Sequence, residues 1–203
     1  MSDSCCDSKT DELKVLAKRQ AKILWIVLAI NLIMFFLEGF YGVLAGSTSL
    51  LADSLDMLGD AFVYGISIYA IGRSIKWGAS TSLIKGSIMT LFGLGVIGEA
   101  IRRFMIPGLP IASTMGIVGT IAMIANFICA ILLLHHRNDD LNMRSTWLCS
   151  RNDVIANIGV LLAAGAVSLT QSKYPDLIVG VCIAALVLKS SYHVLKESIL
   201  ALR

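Results

Sequence analysis

The chain alternates long apolar runs with short polar links. A helix needs about 20 apolar residues to cross the hydrocarbon core of a bilayer, and such runs occupy residues 21–44, 49–72, 83–104 and 111–134. They predict spanning helices one to four. A fifth run, 154–169, is shorter, so a helix crossing there must recruit the more polar residues before it, back at least to Cys149 and as far as Leu141. Residues 177–195 supply the sixth span, and the chain stops within a helical turn or two, at Arg203. The expectation is that no soluble domain follows. Breakers fall where the runs end: Gly46 and Ser47 make a very short first link, Pro107 and Pro110 punctuate the third, and Pro175 opens the sixth helix. The expected fold is all-α, a six-transmembrane-helix bundle over residues 21–203 preceded by a polar segment, 1–20.

Composition narrows the class. With 56% hydrophobic and 15% charged residues, the chain is too apolar for an ordinary water-soluble domain, and a lipid bilayer is its natural solvent. A net charge of +3, with lysines and arginines dispersed between apolar runs, offers no basic face for phosphates and argues against nucleic acid. The five cysteines, 5, 6, 129, 149 and 182, lack the paired spacing of a disulfide framework or a zinc ribbon and are expected as thiols. About twenty polar, basic residues precede the first run, unlike a secretory signal, so that run is expected as a retained helix.

Lysine and arginine mark the cytoplasmic side of a membrane protein. Lys9, Lys14, Lys18, Arg19 and Lys22 precede the first helix, Arg73 and Lys76 fall in the second link, and Arg137, Arg144 and Arg151 fall in the fourth. The opposite side has only Arg102, Arg103 and Lys173. Both termini are expected in the cytoplasm, and a bacterial inner membrane is expected from the compactness of the chain.

The runs contain charges that a bilayer disfavours. An ionised Asp at the centre of a spanning helix costs about 2.5 to 3.5 kcal/mol on insertion scales, so intramembrane acids suggest a site. Helix two carries Asp53, Asp56 and Asp60, whose spacings of three, four and seven put them on one face. On helix five Cys149 and Asp153 are four apart, and Asn157 continues that face by another turn. At 1.5 Å per residue Asp60 lies about 16 Å below the outer end of its helix, and Asp153 lies at a similar depth if helix five starts near Leu141. Asp56, Asp60, Cys149 and Asp153 can then converge as three carboxylates and a thiolate, a set that suits a tetrahedral divalent cation. Carboxylates packed in low dielectric take up protons when no metal is present. Metal binding would displace them, which suggests proton-coupled antiport by alternating access.

The stretch AGSTSLLADSLDMLGD, residues 45–60, with Asn31, Glu38 and Gly42 in the helix before it, resembles the cation diffusion facilitator family of cation efflux proteins. The resemblance covers roughly residues 21–203. It implies a divalent-metal exporter and a homodimer, with an acidic or His residue and an Asp four later on helix two joining a His and an Asp four later on helix five. The matching positions are Asp56 and Asp60, then Cys149 and Asp153. Three features depart from the family pattern. Cys149 stands where His is usual, and a softer thiolate favours Cd²⁺ alongside Zn²⁺ over Mn²⁺ or Mg²⁺. The link at 73–80 has no His or Asp for a peripheral site, so no metal is expected there. A cytoplasmic metal-binding domain, which helps hold many relatives together, is not expected, leaving dimerisation to membrane contacts.

Other polar residues have competing readings. Asp53 is either a fourth acidic ligand or a packing or capping acid near the outer interface. Cys149 itself has a bland reading as a small buried core residue. Cys5 and Cys6 either collect soft metal or are incidental residues of a disordered tail, and His135 and His136 read as a solvated helix end more readily than as a metal entry point. Glu38 and Glu99 serve a proton path or pair with Arg102, Lys85 or an Asn such as Asn126. Cys182 and His193 read as packing or interface residues. No enzyme is expected: an intramembrane aspartyl protease built on Asp60 and Asp153 leaves Asp56 and Cys149 without a task. A membrane metal sensor or partner subunit that does not transport is the other alternative.

Overall fold

The computed structural model describes residues 3–70, 75–136 and 141–202, with side chains described chiefly in 21–66, 86–136 and from 150 onward. Among the described residues there are six helices and no strand: α1 Asp3–Ala45, α2 Thr48–Ala70, α3 Ile75–Met105, α4 Ala112–Leu134, α5 Leu141–Thr170 and α6 Tyr174–Leu202. Among the described residues, four stretches are long and apolar enough to cross a membrane, Ala21–Ala45, Ala112–Leu134, Ser150–Thr170 and Tyr174–Leu200. α2, at 23 residues, reaches about 35 Å at 1.5 Å per residue, and its apolar run is broken by its three aspartates.

Three helix ends differ from the expected spans. α1 begins at Asp3, so its helical backbone passes through the polar segment 1–20 and carries Cys5 and Cys6, which do not lie in a structureless tail. α3 begins at Ile75, turning most of the expected 73–80 link into helix, and α6 continues past residue 195 to Leu202. Hydropathy reports where lipid begins, whereas Lys, Arg, Gln, Glu, Leu and Ala are good helix formers in water as well. The helices therefore outrun the apolar runs.

The bundle is inverted relative to a soluble protein. Phe36, Leu91 and Leu162 are more than 60% exposed, while Asn31, Glu38, Asp53, Asn126 and Asn157 are at most 1% exposed. Lipid tails accept the outward Leu and Phe, and polar side chains have nowhere to go but inward. α2 is the central helix, packing against α1, α3, α5 and α6. Its Leu50, Ala52 and Leu55 join Val160, Ala163 and Val167 of α5 and Ile183, Ala184 and Val187 of α6 in the main apolar cluster. Small residues bring the helices close, as in other membrane bundles. Gly93 receives the Leu188 side chain, and a Cβ on Gly180 would stand 2.7 Å from the backbone of Thr48.

Both chain reversals beside α2 and α6 sit at one end of the bundle. Gly46 turns α1 into α2 with φ 64°, a left-handed conformation that glycine adopts without steric cost. At the same end, the Ile111 N–H donates to the Ala45 carbonyl at 2.8 Å. The Lys173 ammonium donates to the carbonyls of Arg103, Phe104 and Ile106 at 2.7, 3.0 and 2.7 Å, tying the end of α3 to the α5–α6 link.

Candidate metal centre

The acidic face of α2 points into the bundle. Asp53 and Asp60 are buried and Asp56 is half-buried. One turn beyond Asp60 the same spacing reaches Tyr64, which is fully buried and donates its hydroxyl to Asp60 Oδ2 at 2.6 Å. The Tyr64 phenol lies within electrostatic reach of Asp60, Asp153 and Cys129. Asp60 of α2 and Asp153 of α5 are both buried.

α5 approaches α2 again a turn further on. Asn157 Nδ2 donates to the Asp153 carbonyl at 2.9 Å and lies 3.4 Å from Asp53 Oδ1. From α1, the fully buried Glu38 is within electrostatic reach of Asp53 and Asp56. From α4, Cys129 is a buried free thiol near Asp60, 3.9 Å from Asn31 Nδ2. Four helices therefore line one polar column.

Of the four predicted ligands, Asp60 and Asp153 are both buried and both within electrostatic reach of Tyr64, and Asp56 is half-buried on α2 within electrostatic reach of Glu38. The backbone of Cys149 belongs to α5, one turn before Asp153, and its side chain lies outside the described residues. Among the described residues, no three His, Cys, Asp or Glu side chains are gathered closely enough to hold a metal ion together. Asp56, Asp60 and Asp153 are each engaged with neighbouring groups. Elsewhere in the column, Glu38 Oε1 and Oε2, Asp53 Oδ2, Asn157 Oδ1 and both polar atoms of Asn126 have no hydrogen-bond partner among the described residues. Buried polar atoms are ordinarily paired. A column rich in unpaired acceptors is chemically disposed towards cations.

Two residues with clear roles were not singled out by the sequence. Tyr64 was within reach, since it continues the 53, 56, 60 spacing. Asp176 was not. Its carboxylate accepts from Ser47 Oγ at 2.7 Å, Thr48 N at 2.7 Å, Ser49 N at 3.0 Å and Ser49 Oγ at 2.6 Å, so an acid in the first turn of α6 holds the first turn of α2. Ser47 also caps α2 directly, accepting from the Leu50 N–H at 3.2 Å. Asp53 therefore does not serve as the cap.

The remaining alternatives separate. Glu99 is bound by Arg102 at 2.6 Å and Arg103 at 2.7 Å, which removes it from the polar column. His135 is exposed at the end of α4, whereas His136 is buried, so the solvated-end reading fits only the first. Cys182 and His193 are exposed on α6.

Comparison with known proteins adds to this geometry. Residues 24–203 match the family profile described as Cation efflux transmembrane domain. The chain is 30% identical over 193 residues to a cadmium, cobalt and zinc/H(+)-K(+) antiporter of Bacillus velezensis, covering 85% of this chain and 61% of that protein. It is 27% identical over 192 residues to the zinc transporter ZitB of Yersinia pestis, covering 88% and 61% respectively. Against ZitB of Escherichia coli the identity is 28% over 172 residues, covering 78% and 55%. The chain spans about three fifths of the length of the curated relatives it matches.

Proposed function

We propose, from the premise that the chain belongs to the cation efflux transmembrane domain family, that it moves Zn²⁺ or Cd²⁺ out of the cytoplasm through a site made by Asp56, Asp60, Cys149 and Asp153. The observation that carries this reading is the acidic face of α2 turned into the bundle, with Asp60 buried and bonded by Tyr64 at 2.6 Å and Asp153 buried on α5. Relatives named for zinc, cadmium and cobalt support the choice of metal.

Three carboxylates and a thiolate supply four ligands for a tetrahedral d¹⁰ ion. The thiolate raises preference for Cd²⁺ alongside Zn²⁺, since softness rather than charge separates them from Mg²⁺ or Mn²⁺. Tyr64 holds Asp60 by its hydroxyl and thereby orients a ligand, as outer hydrogen-bond partners do in metal sites. Ligands must be deprotonated to bind, so loading releases protons and reprotonation on the far side releases metal. That exchange is antiport. The distribution of lysine and arginine supports a cytoplasmic location for both ends of the helix bundle, the bacterial relatives support a bacterial inner membrane, and the family likeness supports a homodimer.

The test is reconstitution into liposomes, following Zn²⁺ and Cd²⁺ uptake with an internal dye under an imposed pH gradient. Wild type should move metal, Asp60→Ala should abolish the flux, and Cys149→His should shift preference from Cd²⁺ towards Zn²⁺. A wild-type protein that binds an ion and moves neither would overturn transport in favour of a sensor or partner subunit.

A further inference from the structure

The four-ligand site leaves a second pair of carboxylates unused. Glu38 of α1 and Asp53 of α2 are both fully buried. α1 lies close against α2 at this level: a Cβ on Gly39 would stand 3.7 Å from Ser54 Oγ, and one on Gly42 would stand 3.1 Å from Leu51. α5 brings in a third helix, with Asn157 Nδ2 3.4 Å from Asp53 Oδ1.

Four oxygens contributed by these three residues, Glu38 Oε1 and Oε2, Asp53 Oδ2 and Asn157 Oδ1, receive no hydrogen bond from the described residues. Each would be stabilised by a donor or a cation, and burial without either is unfavourable. A carboxylate used only for packing has no reason to stay bare, because an isosteric amide or an apolar side chain fills the same space at less cost.

We propose that Glu38, Asp53 and Asn157 form a second, all-oxygen position for the transported divalent cation, between the Asp60 level and the end of the bundle where Asp176 holds α2. Asp53 lies about 7.5 Å from the start of α2 and Asp60 about 18 Å from it, at 1.5 Å per residue. The position rests on the four-ligand reading, and it gives that reading an exit step. An ion passing from a site with a thiolate to one with oxygens alone meets harder ligands, which bind a soft d¹⁰ ion less tightly. Affinity falls along the path, and the ion leaves.

The test loads purified protein with one equivalent of Cd²⁺, followed by its ultraviolet thiolate charge-transfer band, and then titrates Mn²⁺ by electron paramagnetic resonance. Mn²⁺ prefers oxygen donors and reports the second position. Cd²⁺-loaded wild type should take up one further Mn²⁺ per chain. Glu38→Gln and Asp53→Asn should each weaken that uptake at least tenfold while keeping the Cd²⁺ band, which shows that the variants fold. Wild type that binds no Mn²⁺, with the pair neutralised by protons alone, or Mn²⁺ uptake retained in both variants, overturns the proposal. If Cd²⁺ gives no band in wild type, the four-ligand reading fails separately, and the Mn²⁺ titration of wild type against the two variants still decides the second position.

Discussion

Asp176 and Glu38 are equally hidden, 1% and 0% exposed, and differ in what surrounds them. Asp176 sits at the end of the bundle and receives four hydrogen bonds from Ser47, Thr48 and Ser49. Glu38 sits inside the polar column and receives none from the described residues. A carboxylate at a helix N-terminus finds backbone N–H groups that need an acceptor and a dipole of the right sign. A carboxylate between the sides of helices finds neither, because the backbone there is already bonded to itself. Burial alone therefore does not distinguish a structural acid from a functional one, and the count of donors does.

The sharpest way to break this contrast is Asp176→Ala. It leaves two hydroxyls and two N–H groups at the start of α2 without their acceptor, and the detergent-solubilised protein should lose about 3 kcal/mol of stability in thermal or denaturant unfolding. Unchanged stability would mean that the clamp fastens nothing. Glu38→Gln should act in the opposite direction. Replacing a buried carboxyl that must take up a proton when no metal is bound should stabilise the metal-free protein by about 1 kcal/mol and reduce the extra stability conferred by added divalent metal; a marked loss of stability would place Glu38 with Asp176 among the structural acids. The smallest effect is expected from Tyr64→Phe, which removes the 2.6 Å bond to Asp60 and keeps the ring. Metal affinity should fall about tenfold, as for other outer partners of metal ligands, with transport direction unchanged, as an isothermal titration and the liposome assay would show.

Much of the fold was legible because lipid imposes a length on every crossing element. The runs at 21–44 and 111–134 locate α1 and α4 within the membrane, and the 53, 56, 60 spacing identifies the inward face of α2 from the sequence alone. Helix ends were less legible. Residues 3–20 and 75–82 are polar and are helical all the same, since helix propensity does not depend on lipid. The Asp176 clamp was invisible because its partners lie 127 to 129 residues away, and no local pattern encodes which helix N-terminus an acid will reach. The bare oxygens of Glu38 were equally hidden, as Asn126 and Arg102 were both available partners on paper. In the fold, Arg102 turns to Glu99 instead.

The central claim is that a thiolate on α5 and carboxylates on α2 hold one metal ion, and a Cd²⁺ titration tests it most directly. In protein carrying Cys5→Ser and Cys6→Ser, the thiolate charge-transfer band should saturate at one Cd²⁺ per chain, vanish in Cys149→Ser, and require higher Cd²⁺ in Asp60→Asn. A band that survives Cys149→Ser would move the thiol ligand elsewhere, with Cys129 beside Asp60 the first candidate, and would contradict the site as described.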